Sequence, residues 1–445
     1  MFESGLQYVR ADFHLHTLKD KEFTYSGEST SFVGDYVSAL KNASINVGII
    51  TNHNKFDIEE YKAIRKAAKK QDIFILPGVE LTVKEGANGI HTLIVFNPEE
   101  WLENGNNHIQ PFLTAAFATI SNPENRNTKS IFDLKNVFDQ LDAYGRDYFI
   151  VFAHVDQNSG LFSECRGGLL ESLAGFAPFR HRVLGLQKSR TRDNLGKFEK
   201  FCGYLPALVE GSDPKSISDI GKGDRCTYLK IGEYSYAAIK FALQDYRERV
   251  SESVPNNKHG FIESISFQGG KFDGQTIIFS RELNTLIGIR GSGKSSILEA
   301  VRYVLGLTAQ MDKDYKESLV KNVFGSGGKA TLNVIDKHGK HYSVSRILGE
   351  RINVLDETGN DLNINPISLF DGVQYFGQKD LSSSADHENG LLEKLISGRI
   401  GQPSNLDNCV NELIKTVERL LDVSKIPQQM AETTTQQTEL EHKLS

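Results

Sequence analysis

Over the first 250 residues, short apolar, β-branched runs alternate with stretches whose apolar positions recur every three or four residues. The runs Val47–Thr51, Ile73–Leu76, Ile90–Phe96, Tyr148–Phe152, Val183–Leu186 and Leu205–Val209 predict strands, and the stretches around Tyr36–Ala43 and Asp57–Lys70 predict amphipathic helices. Repeated strand–helix alternation of this kind predicts an α/β unit over residues 1–250 with seven or so parallel strands. Packing them into one domain favours a distorted TIM-like (β/α) barrel over an open sheet.

The pattern breaks at residues 251–260, a polar, turn-rich stretch that reads as a linker. A second unit over 261–402 follows, with strands expected around Ile262–Phe267, Gln275–Phe279 and Leu283–Ile287, then a helix from Ser295 to Leu305. Ala330–Ile335, His341–Ile347 and Arg351–Leu355 predict a three-strand meander whose turns carry His338-Gly339 and Thr358-Gly359-Asn360. Residues 403–445 differ again: Leu406, Val410, Leu413, Val417 and Leu420 are spaced by four, three, four and three positions. That seam fits either a helix packed on its own domain or the start of a coiled-coil arm.

Composition narrows the choices. The chain has 445 residues with 51 Lys+Arg against 57 Asp+Glu, a net charge of −6, which excludes a globally basic nucleic-acid coat. Hydrophobic residues at 39% and 11 prolines describe globular material able to bury sizeable cores. Met1–Arg10 carries no signal-peptide core, and no run approaches the roughly 18 apolar residues of a membrane span, so a cytoplasmic protein is expected. Cys165, Cys202, Cys226 and Cys409 form no CxxC, which argues for a reducing compartment and against disulfide staples or a zinc ribbon.

Candidate chemistry gathers where strands end. His14 and His16 lie in Asp12-Phe13-His14-Leu15-His16-Thr17, and His53, His91 and His154 take comparable places, as do Glu80 and Asp213. In a parallel barrel such positions converge on one mouth while staying far apart in sequence. Imidazole and carboxylate together suit zinc, manganese or iron, and Glu80 can bridge two ions.

These segments, in this order, resemble the PHP (polymerase and histidinol phosphatase) domain, a distorted β/α barrel of metal-dependent phosphoesterases. The resemblance implies His14, His16, His53, Glu80, His91, His154 and Asp213 as metal ligands, with His14, His16, Glu80, His154 and Asp213 at the centre of catalysis. Three departures stand out: Asn52 where the family has an aspartate, Lys215 where its final Asp-x-His has a histidine, and Asp20 as the nearest candidate for a further ligand after the HxH. A protonated lysine cannot ligate a metal, so one metal position is expected to be weakened or empty, and Lys215 to offer its charge to a substrate phosphate instead. Arg180, Arg182, Lys188, Arg190, Arg192, Lys197 and Lys200 crowd the chain around the end of the Val183–Leu186 strand, so part of the set is expected beside this mouth. They read as a phosphate-backbone contact, with Arg190 and Arg192 as candidates for substrate phosphate, or as a solvated helix face.

Gly288-Ile289-Arg290-Gly291-Ser292-Gly293-Lys294-Ser295 satisfies G-x-x-x-x-G-K-[ST], between an expected strand and an expected helix. In that loop the backbone N–H groups from Gly288 to Ser296 hold phosphate oxygens of ATP, Lys294 reaches the terminal phosphates, and the Ser295 hydroxyl ligates Mg²⁺. The surroundings resemble the N-terminal half of an SMC-like ABC ATPase lobe, on Leu283–Gly288, Ser295–Ala300 and Gln374-Tyr375-Phe376-Gly377-Gln378-Lys379. The resemblance implies Gln378, or failing that Gln374, as the Mg²⁺ and γ-phosphate sensor. No later Asp-Glu run and no LSGGQ-like signature occur. The chain is therefore expected to be the front of a longer protein whose second ATPase half lies beyond residue 445, to bind ATP weakly alone, and to act through head dimerisation.

Together the two halves resemble the TrlF-type family of PHP–ATPase fusions. That implies a metal-dependent phosphoesterase, a nuclease acting on nucleic acid under ATP control, in DNA repair or defence against foreign DNA. Two other readings stand beside it: a phosphatase of small molecules or nucleotides regulated by ATP, and a non-catalytic PHP module that binds a partner or nucleic acid on an ATPase head.

Overall fold

The computed structural model of the protein describes residues 2–125, 128–165, 168–255, 259–309, 312–370 and 372–377, with short helical pieces between 415 and 437. The chain divides into two compact units, residues 1–256 and 257–445.

In the first unit the β-branched runs form β1 (Gln7–Leu15), β2 (Val47–Ile50), β3 (Phe74–Val83), β4 (Ile90–Phe96), β5 (Tyr148–Phe152), β6 (Val183–Gln187), β7 (Ala207–Val209), β8 (Thr227–Ile231) and β9 (Val250–Ser251). They make one nine-stranded sheet in the order β7-β6-β5-β4-β3-β2-β1-β8-β9. The sheet curls until β1 meets the end of β7: Phe13 N–H donates to the Glu210 carbonyl at 3.3 Å and Asp213 N–H to that of His14 at 2.9 Å. The result is the expected distorted barrel, nearly closed.

The strands are not all parallel, as the alternation predicted. β1–β2–β3 and β5–β6–β7 are parallel runs, but β4 is antiparallel to both neighbours and β8 to β1. The physical reason is connection length. Residues 84–89, with Gly86 and Gly89 at positive φ, are far too few for the helical crossover that a parallel pair requires, so β3 and β4 fold as a hairpin.

Val9, Ala11, Phe13, Val47, Ile49, Leu76, Leu93, Val95, Phe149 and Val151 supply one core cluster, joined by Tyr236 and Ile239 of a helix at Tyr236–Gln244. Intervening residues such as Ile75, Leu81, Ile94 and Ile150 supply the other, against α1 (Phe32–Asn42) and α2 (Ile58–Lys69). Each large side chain so buried contributes about 1.5–3 kcal/mol. The α2 helix shows the local logic: the Asp57 carboxylate caps its start by accepting from Glu60 N–H, and Tyr61, Ile64 and Ala68 form the buried stripe.

The second unit is a five-stranded antiparallel sheet, order β11-β10-β12-β13-β14, from β10 (Phe261–Gln268), β11 (Thr276–Ile278), β12 (Lys329–Ile335), β13 (His341–Ile347) and β14 (Ile352–Leu355). Ala300 and Val304 of a helix at Lys294–Val304, and Val320, Val323 and Phe324 of another at Lys313–Phe324, share its core with Ile265, Phe267, Leu332 and Val344. The meander forms as expected.

The strand expected at Leu283–Ile287 does not form. Among the described residues no neighbouring strand pairs with it, and Leu283 and Ile287 are 91% and 90% exposed; an extended segment without a ladder partner leaves its N–H and C=O groups to solvent. Of the heptad seam, Leu406, Val410 and Leu413 lie outside the described residues, whereas Val417 and Leu420 are helical and exposed. No helix among the described residues is long and apolar enough to cross a membrane.

Candidate metal centre and glycine-rich loop

Three local devices bring the histidines and carboxylates of the first unit to one end of the barrel. On β1 the ladder to β2 is irregular between Asp12 and Leu15. Val9, Ala11 and Phe13 therefore join one core cluster and Leu15 the other. The alternation has slipped by one residue, which turns His14 and His16 towards Glu80, with their Nε2 atoms 3.1 and 3.5 Å from Glu80 Oε2.

On the β3–β4 hairpin, Thr82 lies opposite His91 and Glu80 opposite Leu93, so Glu80 and His91 share a face. His91 Nδ1 is 2.7 Å from Glu80 Oε1. His91 thus reaches the mouth from the start of β4 and not from a strand's end, because β4 runs backwards. His154 and Asp213 follow β5 and β7 with left-handed backbone, φ 30° and 51°. Such non-glycine conformations cost on the order of 1–3 kcal/mol each and persist where surrounding structure imposes them.

The ligand atoms fall into two groups, His14/His16/Glu80 and Glu80/His91/His154, each with its atoms within 4.8 Å of one another. Hydrogen bonds on the far ring nitrogens assign the tautomers. Gln187 Oε1, 3.0 Å from His14 Nδ1, can only accept, so the proton is on Nδ1 and the Nε2 lone pair faces the site. Asp20 Oδ2 does the same for His16 Nδ1 at 2.8 Å, leaving His16 Nε2 3.0 Å from Asp213 Oδ1. His154 Nε2 lies 3.2 Å from His91 Nδ1 and 3.7 Å from Glu80 Oε1. Buried lone pairs aimed at one another repel unless cations lie between them, and imidazole with carboxylate is the donor set of zinc, manganese or iron. The residues fit a pair of divalent ions sharing Glu80.

The carboxylates around the rings favour positive charge at this edge, whether a proton or a metal ion on Nε2 supplies it. Burial alone would lower His16, but Asp20 and Asp213 hold it up at about 9. Burial raises Glu80, yet His14 and His91 keep it well below the usual carboxylate range. Asp213 is raised by burial and brought far down by His14 and His16. Burial likewise raises Asp20, which the hydrogen bond from His16 draws down to about 2.

Two predicted ligands stand apart. Asp20 lies behind His16 and also accepts from the N–H groups of His53 at 2.6 Å and Glu22 at 2.9 Å, so its carboxylate is taken up in orienting other residues. His53 belongs to neither group; its Nε2 meets Thr82 Oγ1 at 2.8 Å and burial lowers its pKa. Asn52 is not near the ligands' open side: it clasps Thr17, accepting from its N–H and donating to its hydroxyl, both at 2.8 Å. Gln187 and Gly211 went unread in the sequence. The signal for Gln187 was a polar residue closing the apolar run Val183–Leu186. For Gly211 it was spacing alone: a Cβ there would lie 2.6 Å from His14 Cβ, so only glycine lets this turn pass.

The basic cluster separates into distinct roles. The Arg180 guanidinium donates to the Cys202 carbonyl, and that of Arg182 pairs with Asp142 and Asp147 over the Tyr148 ring. Arg190, expected to meet substrate phosphate, is bound to Glu210 at 2.6 Å and Asp224 at 3.3 Å, because the acidic residues after β7 and before β8 reach it first. Arg192, Lys197 and Lys200 are exposed on α3 (Arg192–Cys202), a solvated helix face. Lys215 stays at the mouth, its Nζ 3.0 Å from Asp213 Oδ1 and 3.1 Å from Glu22 Oε2.

In the second unit, Gly291 and Gly293 take φ of 84° and 92° to turn the loop into the helix at Lys294–Val304, whose first turn holds Ser295 and Ser296. Lys294 Nζ donates to the carbonyls of Gly288 and Ile289 at 2.7 and 2.8 Å, folding back over the loop, while Arg290 is exposed. Gln374 and Ser295 line one cavity of about 520 Å³, and the Tyr375 hydroxyl donates to Glu299 of the same helix. Gln378 lies outside the described residues.

Residues 266–444 match the family described as AAA domain, so the second unit carries an AAA-type, ATPase-like domain. No curated protein matches the chain. Among solved structures, the lesion-specific endonuclease PfuEndoQ from Pyrococcus furiosus is 12% identical, with 71% of this chain and 83% of that one covered and a TM-score of 0.41. Endonuclease Q in complex with a 27-mer duplex carrying an abasic lesion is 13% identical over 72% and 85%, TM-score 0.40. A protein described as a metal-dependent phosphoesterase from Bifidobacterium adolescentis is 13% identical over 53% and 95%, TM-score 0.33. These likenesses are distant, and the chemistry follows from the site's own geometry.

Proposed function

We propose that the first unit is a PHP-type metal-dependent phosphoesterase that cleaves nucleic acid, and that the second unit binds ATP and governs it. The observation that carries this reading is that Glu80 belongs to both ligand groups, an arrangement that suits two adjacent ions acting on one phosphoester. Divalent ions held by His14, His16, Glu80, His91, His154 and Asp213 would polarise a phosphoryl oxygen and bring water's pKa towards neutrality. The chain's own residues do the rest. Gln187 and Asp20 fix the ring orientation of His14 and His16. Lys215, anchored by Asp213 and Glu22, holds a fixed positive charge where the substrate phosphate would sit. Water adds across the P–O bond, and the ester oxygen leaves with a proton.

The Lys294 ammonium, now on loop carbonyls, would exchange them for nucleotide phosphates, with Ser295 on Mg²⁺ and Gln374 or Gln378 as the sensor. The stretch at Leu283–Ile289, unpaired among the described residues, supports completion of this lobe by a further strand-bearing segment, followed by head dimerisation. A cytoplasmic role in DNA repair or in defence against foreign DNA rests on the family resemblance.

The test is metal content by elemental analysis together with hydrolysis of labelled single- and double-stranded DNA and RNA, for wild type, His14→Ala and Glu80→Gln. About two ions per chain and cleavage lost in both variants is the expected result. Metal without cleavage of any polymer would move the substrate to a small phosphoester, and neither metal nor cleavage would make the unit a binding module.

A further inference from the structure

The seam where the barrel nearly closes is crossed by the backbone hydrogen bonds from Phe13 to Glu210 and from Asp213 to His14, and also by the side chain of Asp12. Asp12 is buried and belongs to neither ligand group. Its Oδ1 accepts from the N–H groups of His14 and Ser212, both at 3.1 Å, and its Oδ2 accepts from the Ser212 hydroxyl at 2.5 Å. A buried carboxylate is costly unless donors satisfy it, and these donors come from the two places that shape the metal centre. The first is the slip in the β1 ladder between Asp12 and Leu15. A slip of this kind takes a backbone group away from its ladder partner, and the His14 N–H turns back to the carboxylate two residues earlier. The second is the turn after β7, where Ser212 is anchored by both its N–H and its hydroxyl directly before Asp213. The left-handed φ of 51° at Asp213 persists only where neighbouring structure imposes it.

We infer that Asp12 is a positioning residue of the metal centre: its carboxylate locks the slip on β1, which aims His14 and His16, to the turn that carries Asp213. The inference rests on the metal-dependent reading above and deepens it by naming the residue that builds one of the two ion positions. Its consequence is selective. His14, His16 and Asp213 meet at one edge, with the Nε2 atoms of His16 and His14 at 3.0 and 3.8 Å from Asp213 Oδ1. The pairing of β3 with β4 sets Glu80 and His91 in place independently of Asp12, and His154 follows β5. Loss of the Asp12 carboxylate therefore disturbs the His14/His16 group and spares the Glu80/His91/His154 group. Geometry rather than charge does this work, since an asparagine can accept both N–H groups at Oδ1 and donate from Nδ2 to the Ser212 hydroxyl.

The test is calorimetric titration of the metal-depleted full chain with Co²⁺, with the visible absorption of the bound ion read alongside. Wild type, Asp12→Ala, Asp12→Asn and Ser212→Ala are compared, and His91→Ala marks which binding step belongs to the other group. Wild type is expected to take up two ions in resolvable steps. In Asp12→Ala the step that His91→Ala leaves intact weakens about 10–100-fold, while the other step is unchanged. Asp12→Asn restores the weakened step and its absorption spectrum, and Ser212→Ala, which removes one donor, weakens the same step to a smaller degree. Should Asp12→Ala fail to fold, Ser212→Ala and Asp12→Asn decide the matter. Equal weakening of both steps, no weakening in Ser212→Ala, an asparagine variant as poor as the alanine one, or fewer than two ions in wild type each overturn the inference. Hydrolysis of bis(p-nitrophenyl) phosphate, measured in parallel, separates the two ideas: two ions and a selective Asp12 effect without turnover sink the phosphoesterase reading and leave the role of Asp12 standing.

Discussion

Lys215 Nζ lies 3.0 Å from Asp213 Oδ1, and the same carboxylate oxygen is 3.0 Å from His16 Nε2. One oxygen therefore joins a fixed ammonium to the edge of a metal-ligand group. Burial lowers the Lys215 pKa, but Asp213 and Glu80 outweigh it and raise it overall, so the group stays charged across the physiological range. It cannot ligate, yet it stands next to one ligand group with a full positive charge.

Replacing this charge should therefore affect the chemistry more than the metals. Lys215→Met is expected to retain the metal stoichiometry of wild type and to lose about 10²-fold in kcat, the scale for removing a fixed charge or donor from a developing oxyanion. Elemental analysis and steady-state kinetics on one preparation check both halves; unchanged kcat would remove Lys215 from the mechanism.

Gln187 should act through metal affinity. Its Oε1 holds the proton on His14 Nδ1, so Gln187→Leu frees the ring to turn or to change tautomer. Metal affinity should drop about 10–100-fold, as for other partners of ligating histidines, while the thermal midpoint of the fully loaded protein moves little. Competition with a fluorescent chelator reads the affinity directly.

Acid stability should depend on Glu164. Burial raises this carboxyl, but the hydrogen bonds it accepts from the Asn88 side-chain amide at 2.7 Å and from Asn88 N–H at 3.1 Å bring it below its ordinary value. A carboxyl depressed in the folded state adds stability that is fully present above its unfolded pKa, about 4.3. That stability is lost as pH falls through the lower, folded value. Glu164→Gln should cost about 1 kcal/mol at pH 7 and show a shallower decline of thermal midpoint than wild type below about pH 4.3. Parallel decline in the two proteins would assign the acid sensitivity elsewhere.

Nucleotide binding should require Lys294 and need more protein than this chain for turnover. Lys294→Ala is expected to abolish binding of a fluorescent ATP analogue. Wild-type chain should bind it weakly and hydrolyse ATP barely above background, because the Leu283–Ile287 segment has no strand beside it among the described residues. Robust turnover by the chain alone would contradict this.

The sequence by itself put forward the candidate residues for the chemistry and the positions of most elements, since both follow from side-chain type and local periodicity. The apolar runs became strands, the meander turned where Gly339 and Gly359 adopt positive φ, and five histidines with Glu80 and Asp213 declared a metal-binding composition. Tertiary structure decided direction and partnership. A six-residue connection, 84–89, turned β4 around and brought His91 in from the strand's start. A single ladder irregularity on β1 aimed His14 and His16 inward. Which cation is paired was equally beyond reach of the sequence: nothing local marks Arg190 as the one that carboxylates from distant loops neutralise. Strand polarity, side-chain facing and charge pairing are set by contacts between residues far apart in the chain, and no local pattern encodes them.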